Sequence, residues 1–122
     1  MHETERVILR ANEAFRRGDI GAVLRCWHAD GVLKPMSSDR RYRGRDEIQS
    51  FLEDAKRSSR GERLSFDTVL QADDYALMFG TDEAGESAFW VAEVAAGKLK
   101  CWEGFRNVRE AFEEFRERRG PR

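Results

Sequence analysis

The sequence predicts an α+β domain in which N-terminal helices pack on an antiparallel sheet and a further helix follows that sheet. Three observations carry this. Apolar residues recur at helical spacing in the first half, the period becomes two between Glu62 and Phe105, and helical spacing returns after Asn107. The 122 residues suit one domain, 1–122, with a single core.

From Glu3 to Arg17, Val7, Ile8, Ala11, Ala14 and Phe15 share one helical face. Gly18 supplies a left-handed stop, and Asp19 caps a second short helix running through Ala22, Val23, Leu24 and Trp27. Asp30-Gly31 marks a turn, and Val32 to Met36 reads as a short strand whose proline needs an edge or an end. Ser37 to Gly44 reads as a loop. Asp46 and Glu47 suit the positive end of a third helix carrying Ile48, Phe51, Leu52 and Ala55, which gives out in the polar run Lys56 to Gly61.

Beyond Glu62, Leu64, Phe66 and Thr68 alternate with Ser65 and Asp67, and Tyr75 to Phe79 continues the pattern. Turns at Asp73-Asp74, Gly80 to Gly85 and Ala96-Gly97 divide the region into a meander of three or four antiparallel strands. The C-terminal helix, about 108–119, starts at an Asn107-x-x-Glu110 box and shows a stripe of Val108, Ala111, Phe112 and Phe115.

Charged residues make up 37% of the chain, above the roughly 25% of ordinary domains, and coat a soluble surface. With 22 basic and 23 acidic residues the net charge is −1, so no global field draws the protein to nucleic acid or to an anionic membrane. Arg40, Arg41, Arg43 and Arg45 read as a solvated turn, with an anion-binding patch as the alternative. No apolar run approaches the roughly 18 residues of a membrane span, since Glu93 interrupts Ala88 to Ala96. Cys26 and Cys101 match no zinc or CxxC spacing, and MHETERVILR lacks an apolar signal core, so two buried free thiols in a cytoplasmic setting are expected. No phosphate loop, metal-ligand cluster or Ser/His/Asp pattern stands out, and no metal or cofactor is expected.

Four motifs in order bring a family into view: Ala14-Phe15-x-x-Gly18-Asp19, Trp27-His28-Ala29-Asp30-Gly31-Val32-Leu33, Tyr42-x-Gly44-x-Asp46-Glu47-Ile48-x-x-Phe51, and Gly97-Lys98-Leu99 leading to Trp102 and Phe105. Over residues 5 to 107 the chain resembles the nuclear transport factor 2-like superfamily, which includes SnoaL-like cyclases, ketosteroid isomerases and limonene epoxide hydrolases. The resemblance implies a cone: a curved antiparallel sheet wrapped on N-terminal helices, with a ligand cavity between them and a homodimer through the convex side. It implies nothing as firm about the reaction.

Laid on these families, the isomerase base falls on Pro35, which moves no proton, and the epoxide-hydrolase carboxylate falls on Gly104. Glu103 is one step out of register with the pocket carboxylate of the cyclases, and a β-bulge would be needed to restore it. A two-residue turn at Ala96-Gly97 would set Glu93 opposite Lys100, Val91 opposite Trp102 and Phe89 opposite Gly104. That Glu–Lys pair reads either as a surface stabiliser worth about 0.2–1 kcal/mol or as a pocket acid with a raised pKa. His28 and Asp30 read either as shapers of a strand entry or as a base and its neighbour.

The favoured reading is a domain that binds a small apolar molecule, with Trp27, Tyr42, Met78, Trp90, Trp102 and Phe105 as pocket walls. The alternative is an isomerase, cyclase or hydrolase working by cofactor-free acid–base catalysis through Glu93, Glu103, His28 or Asp30. A homodimeric scaffold without a ligand is the third.

Overall fold

The computed structural model describes residues 3–36, 38–57, 65–72, 74–81 and 85–119. Leu64, Asp73, the polar run beyond Arg57 and residues 82–84 of the expected turn lie outside this set.

Helix α1 (Glu3–Arg16) buries Val7, Ile8, Ala11 and Ala14, the stripe expected of it. Gly18, at φ +74°, closes it: the Asp19 amide donates to the Ala14 carbonyl (3.0 Å) and the Gly18 amide to that of Phe15 (2.9 Å). Asp19 then caps α2 (Ile20–Arg25), accepting the Ala22 amide at 3.0 Å. The second helix stops before Trp27, because that residue belongs to β1 (Trp27–Lys34) and pairs with Leu99. Strand β1 therefore starts five residues earlier than expected, and the Asp30-Gly31 signal marks a register shift inside it rather than a turn before it. The Trp27 indole covers Gly31, where a Cβ would lie 2.4 Å from Cε3. Pro35, with no amide to donate, ends the strand.

The expected loop after Pro35 contains a two-residue strand, β2 (Tyr42–Arg43), paired antiparallel with β1. Helix α3 (Gly44–Arg57) follows, burying Ile48 and Leu52, and Lys56 Nζ ties its end to the Gly18 carbonyl at 2.9 Å. Strands β3 (Ser65–Ala72), β4 (Tyr75–Thr81), β5 (Ser87–Ala95) and β6 (Lys98–Phe105) form the antiparallel meander. The sheet order is β2-β1-β6-β5-β4-β3, open at both edges. It is mixed rather than wholly antiparallel, because the chain returns from β1 through α3 and the meander to lay β6 parallel beside it.

The sheet separates two cores. On one face α1, α2 and α3 bury Ile8, Val23 and Ile48 against Trp27, Leu33, Met78, Trp90, Val94 and Leu99. On the other, α4 (Val108–Arg119) sets Ala111 and Phe115 on Leu77 and Val91. Asn107 Oδ1 caps α4 by accepting the amides of Arg109 (2.8 Å) and Glu110 (3.3 Å).

The hairpin departs from the expected pairing in one place. Ala96 (φ +51°) and Gly97 (φ +76°) make a two-residue turn, so Ala95 faces Lys98 and Val94 faces Leu99. The next pair is Glu93 with Cys101, leaving Lys100 as an extra residue on β6. Val91 then faces Glu103 instead of Trp102, and Phe89 faces Phe105 instead of Gly104. The expected Glu93–Lys100 pair does not form, because the bulge turns the rest of β6 over.

Candidate functional site

The bulge decides which side chains of β6 meet which helices. Leu99, before it, lies toward α1–α3, as do Trp102 and Gly104 after it, while Cys101, Glu103 and Phe105 turn toward α4. Two chemically different faces result.

The face toward α1–α3 is apolar. Trp27, Met78 and Trp90 are buried there, and Tyr42, Phe51, Met36 and Trp102 are half-buried around them. The Tyr42 and Phe51 rings lie 4.9 Å apart, and the Arg40 guanidinium sits 4.6 Å over the Tyr42 ring. Of the six residues expected to line a pocket, five share this face. Phe105 does not: it packs on the α4 side with Tyr75, Phe79 and Phe89. At Gly104, the position matched to the hydrolase carboxylate, a Cβ would lie 2.5 Å from Met36 Cγ and 2.8 Å from the Met36 backbone nitrogen.

The face toward α4 holds the charge. Glu103 is fully buried, and its two carboxylate oxygens are divided between two arginines: Arg41 Nη2 donates to Oε2 at 2.9 Å and Arg118 Nη2 to Oε1 at 2.5 Å. Arg118 also reaches Glu93 Oε1 at 3.5 Å, and its Nε lies 2.7 Å from Glu114 Oε2. Lys34 Nζ donates to the Gly104 carbonyl at 2.8 Å and rests 4.8 Å over the Phe105 ring. Among the described residues the only other buried polar side chain is Thr4.

Burial pushes the Cys101 thiol up to about 12, with Arg118 opposing and Glu103 adding to the rise. Burial also raises Tyr75, helped by Glu93, and raises Cys26 against the pull of Arg10 and Arg25. Both cysteines are free and buried, as their spacing suggested.

The four candidate acids and bases are not brought together. Glu93 and Glu103 share the α4 face, joined through Arg118. His28 Nδ1 accepts the Asp30 amide at 3.1 Å, a local bond that shapes the irregular start of β1, and Asp30 is exposed. No group of three His, Cys, Asp or Glu among the described residues is placed to hold a metal ion. Nor is any described helix long and apolar enough to cross a membrane.

Sequence reasoning singled out neither Arg118 nor Lys34, and it named Arg41 only within a run read as a solvated turn or an anion-binding patch. The arginine run looked like a solvated turn, yet Arg40 covers Tyr42, Arg41 holds Glu103, and Arg45 donates through Nε (3.1 Å) and Nη2 (2.7 Å) to the Trp27 carbonyl. A signal was present in the density of arginine, whose planar fork suits such bonds better than lysine.

No curated protein matches the chain significantly. Solved structures do. An NTF2-like protein of unknown function from Burkholderia pseudomallei is 18% identical, with a TM-score of 0.71 over 94% of this chain and 98% of that one. TerC, co-crystallised with polyporic acid, is 21% identical, with a TM-score of 0.73 over 93% of this chain and 98% of its own. An LEH-like epoxide hydrolase from M. tuberculosis is 19% identical, with a TM-score of 0.72 over 93% and 89%. These likenesses show the α+β cone fold, here with a sheet that stays open. The SnoaL-like domain model matches residues 8–96, most of the sequence, and the chain belongs to that family.

Proposed function

We propose that the protein binds a small apolar molecule between the α1–α3 layer and the sheet. The observation that carries this reading is the chemistry of that face: the buried side chains that β4, β5 and β6 turn toward α1–α3 are all apolar. Four half-buried residues, Met36, Tyr42, Phe51 and Trp102, continue the wall toward solvent, with the Tyr42 hydroxyl as a polar group to orient a ligand. TerC, of the same fold, was co-crystallised with polyporic acid, which supports a small organic ligand.

Acid–base catalysis would require a carboxylate or imidazole beside that ligand. Glu93 and Glu103 lie across the sheet from it, held by Arg118, and His28 is engaged by the Asp30 amide. Binding without turnover fits this arrangement better than isomerisation, cyclisation or hydrolysis.

Titration with a neutral aromatic probe, N-phenyl-1-naphthylamine, followed by tryptophan quenching, tests the reading. Saturable binding is expected, and Phe51→Ala, which removes a half-buried wall residue, weakens it while the far-ultraviolet circular dichroism is retained. Absence of saturable quenching in the wild-type chain overturns the proposal.

A further inference from the structure

Glu103 presents a question of purpose. A fully buried carboxylate costs several kcal/mol to desolvate, and its ion pairs repay that cost only with good geometry, so such groups are weak devices for stability. What they fix well is position. Glu103 holds two segments in place.

On one side it holds the last turn of α4 through Arg118. On the other it holds Arg41, 62 residues earlier, in the short stretch that leads into β2. Among the described residues, the other side-chain ties of that stretch are short-range in sequence or lie on the opposite face: the Arg40 amide donates to Ser38 Oγ (3.0 Å), the Arg43 amide to Glu47 Oε1 (3.0 Å), and Tyr42 packs on Phe51. β2 is two residues long and pairs with β1 at two positions only, Val32 with Arg43 and Leu33 with Tyr42. Arg41 reaches the α4 face of the sheet, whereas the next residue, Tyr42, packs on the opposite face beside Phe51. Met36 packs over Gly104 on that same opposite face. Arg41 and Tyr42 thus straddle the sheet, with the anchor on one face and a wall residue of the proposed site on the other.

We infer that Glu103 and Arg41 are positioning residues for the ligand site, fixing Tyr42 from across the sheet. This rests on the binding reading above. The ion pair touches no ligand; it sets where the wall stands, and loss of Arg41 frees residues 38–43 without removing a wall side chain. Arg118 serves the other end of the same carboxylate, so its loss loosens α4 while the Glu103–Arg41 pair survives.

The test uses the full-length chain and three variants, Arg41→Gln, Arg41→Lys and Arg118→Gln, with N-phenyl-1-naphthylamine affinity and hydrogen–deuterium exchange as readouts. Arg41 is 43% exposed, and when it is replaced Glu103 keeps its pair with Arg118, so the buried carboxylate retains one partner. Arg41→Gln is expected to accelerate exchange across 38–43 and weaken the probe about fivefold, with exchange in α4 unchanged. Arg41→Lys is expected to recover part of both effects. Arg118→Gln is expected to accelerate exchange in α4 and leave probe affinity near that of the wild type.

Wild-type affinity in Arg41→Gln overturns the inference while leaving the binding reading intact, and so does unchanged exchange across 38–43. Equal loss of affinity in Arg118→Gln also overturns it, since a general loosening would then explain both. A wild-type chain that does not bind the probe overturns the binding reading and this inference with it.

Discussion

Ala96 occupies the left-handed region at φ +51°, where a Cβ costs roughly 1 kcal/mol and asparagine or glycine is at ease. Ala96→Asn, giving the Asn-Gly pair that such turns prefer, is expected to stabilise the protein by about 0.5–1 kcal/mol. A denaturant midpoint that fails to rise refutes the strain. Cys101 makes a prediction of opposite sign. Its thiol keeps its proton up to about pH 12 when folded, against an ordinary value of 9.0. Below 9 both states are protonated and the contribution is complete; as pH climbs toward 12 only the unfolded chain ionises, and stability falls. Cys101→Ala should therefore flatten the decline of the melting temperature over that window. An equally steep decline in the variant would rule the thiol out as its source.

At the scale of elements, α4 is joined to the sheet by a small apolar contact and a polar one. Phe115 is its main buried side chain, and Phe115→Ala is expected to cost about 3 kcal/mol, measured by urea unfolding. A loss under about 1 kcal/mol would mean that the Arg118 pairs, not the aromatic contact, seat the helix. The helices were legible because each announces itself locally: a stripe, the Gly18 stop, the Asp19 cap and the Asn107 cap all lie within a few residues of what they control. The register of β6 was not. Period-two alternation says that a strand exists but not where an extra residue interrupts it, and Lys100 differs in no obvious way from an ordinary exposed strand residue. One unseen bulge was enough to exchange the faces of Trp102 and Glu103.

For the whole molecule, the sheet divides apolar surface from buried charge. The members of the apolar wall were readable from aromatic richness, but their common face was not: spacing set Trp102 opposite Val91, and only the bulge brings it to the face of Trp27, Tyr42, Met78 and Trp90. The charged cluster was not readable, because Lys34, Arg41, Glu103 and Arg118 come from four separate parts of the chain and only the fold joins them. A ligand that selects the folded state must also stabilise it. With N-phenyl-1-naphthylamine at a hundred times its Kd, unfolding should become costlier by about 2.7 kcal/mol. A melting temperature indifferent to the probe would mean that any quenching arises from loose surface adsorption.

The contact between Gly104 and Met36 bears on what the protein can become. Behind the Met36 Cγ, the nearest obstacle to a side chain at 104, stands backbone, the Met36 nitrogen at 2.8 Å, so trimming the methionine does not clear the way. A side chain at 104 therefore demands that the backbone at Met36 shift as well, and the step from this chain toward the hydrolase pattern takes more than a point change at 104.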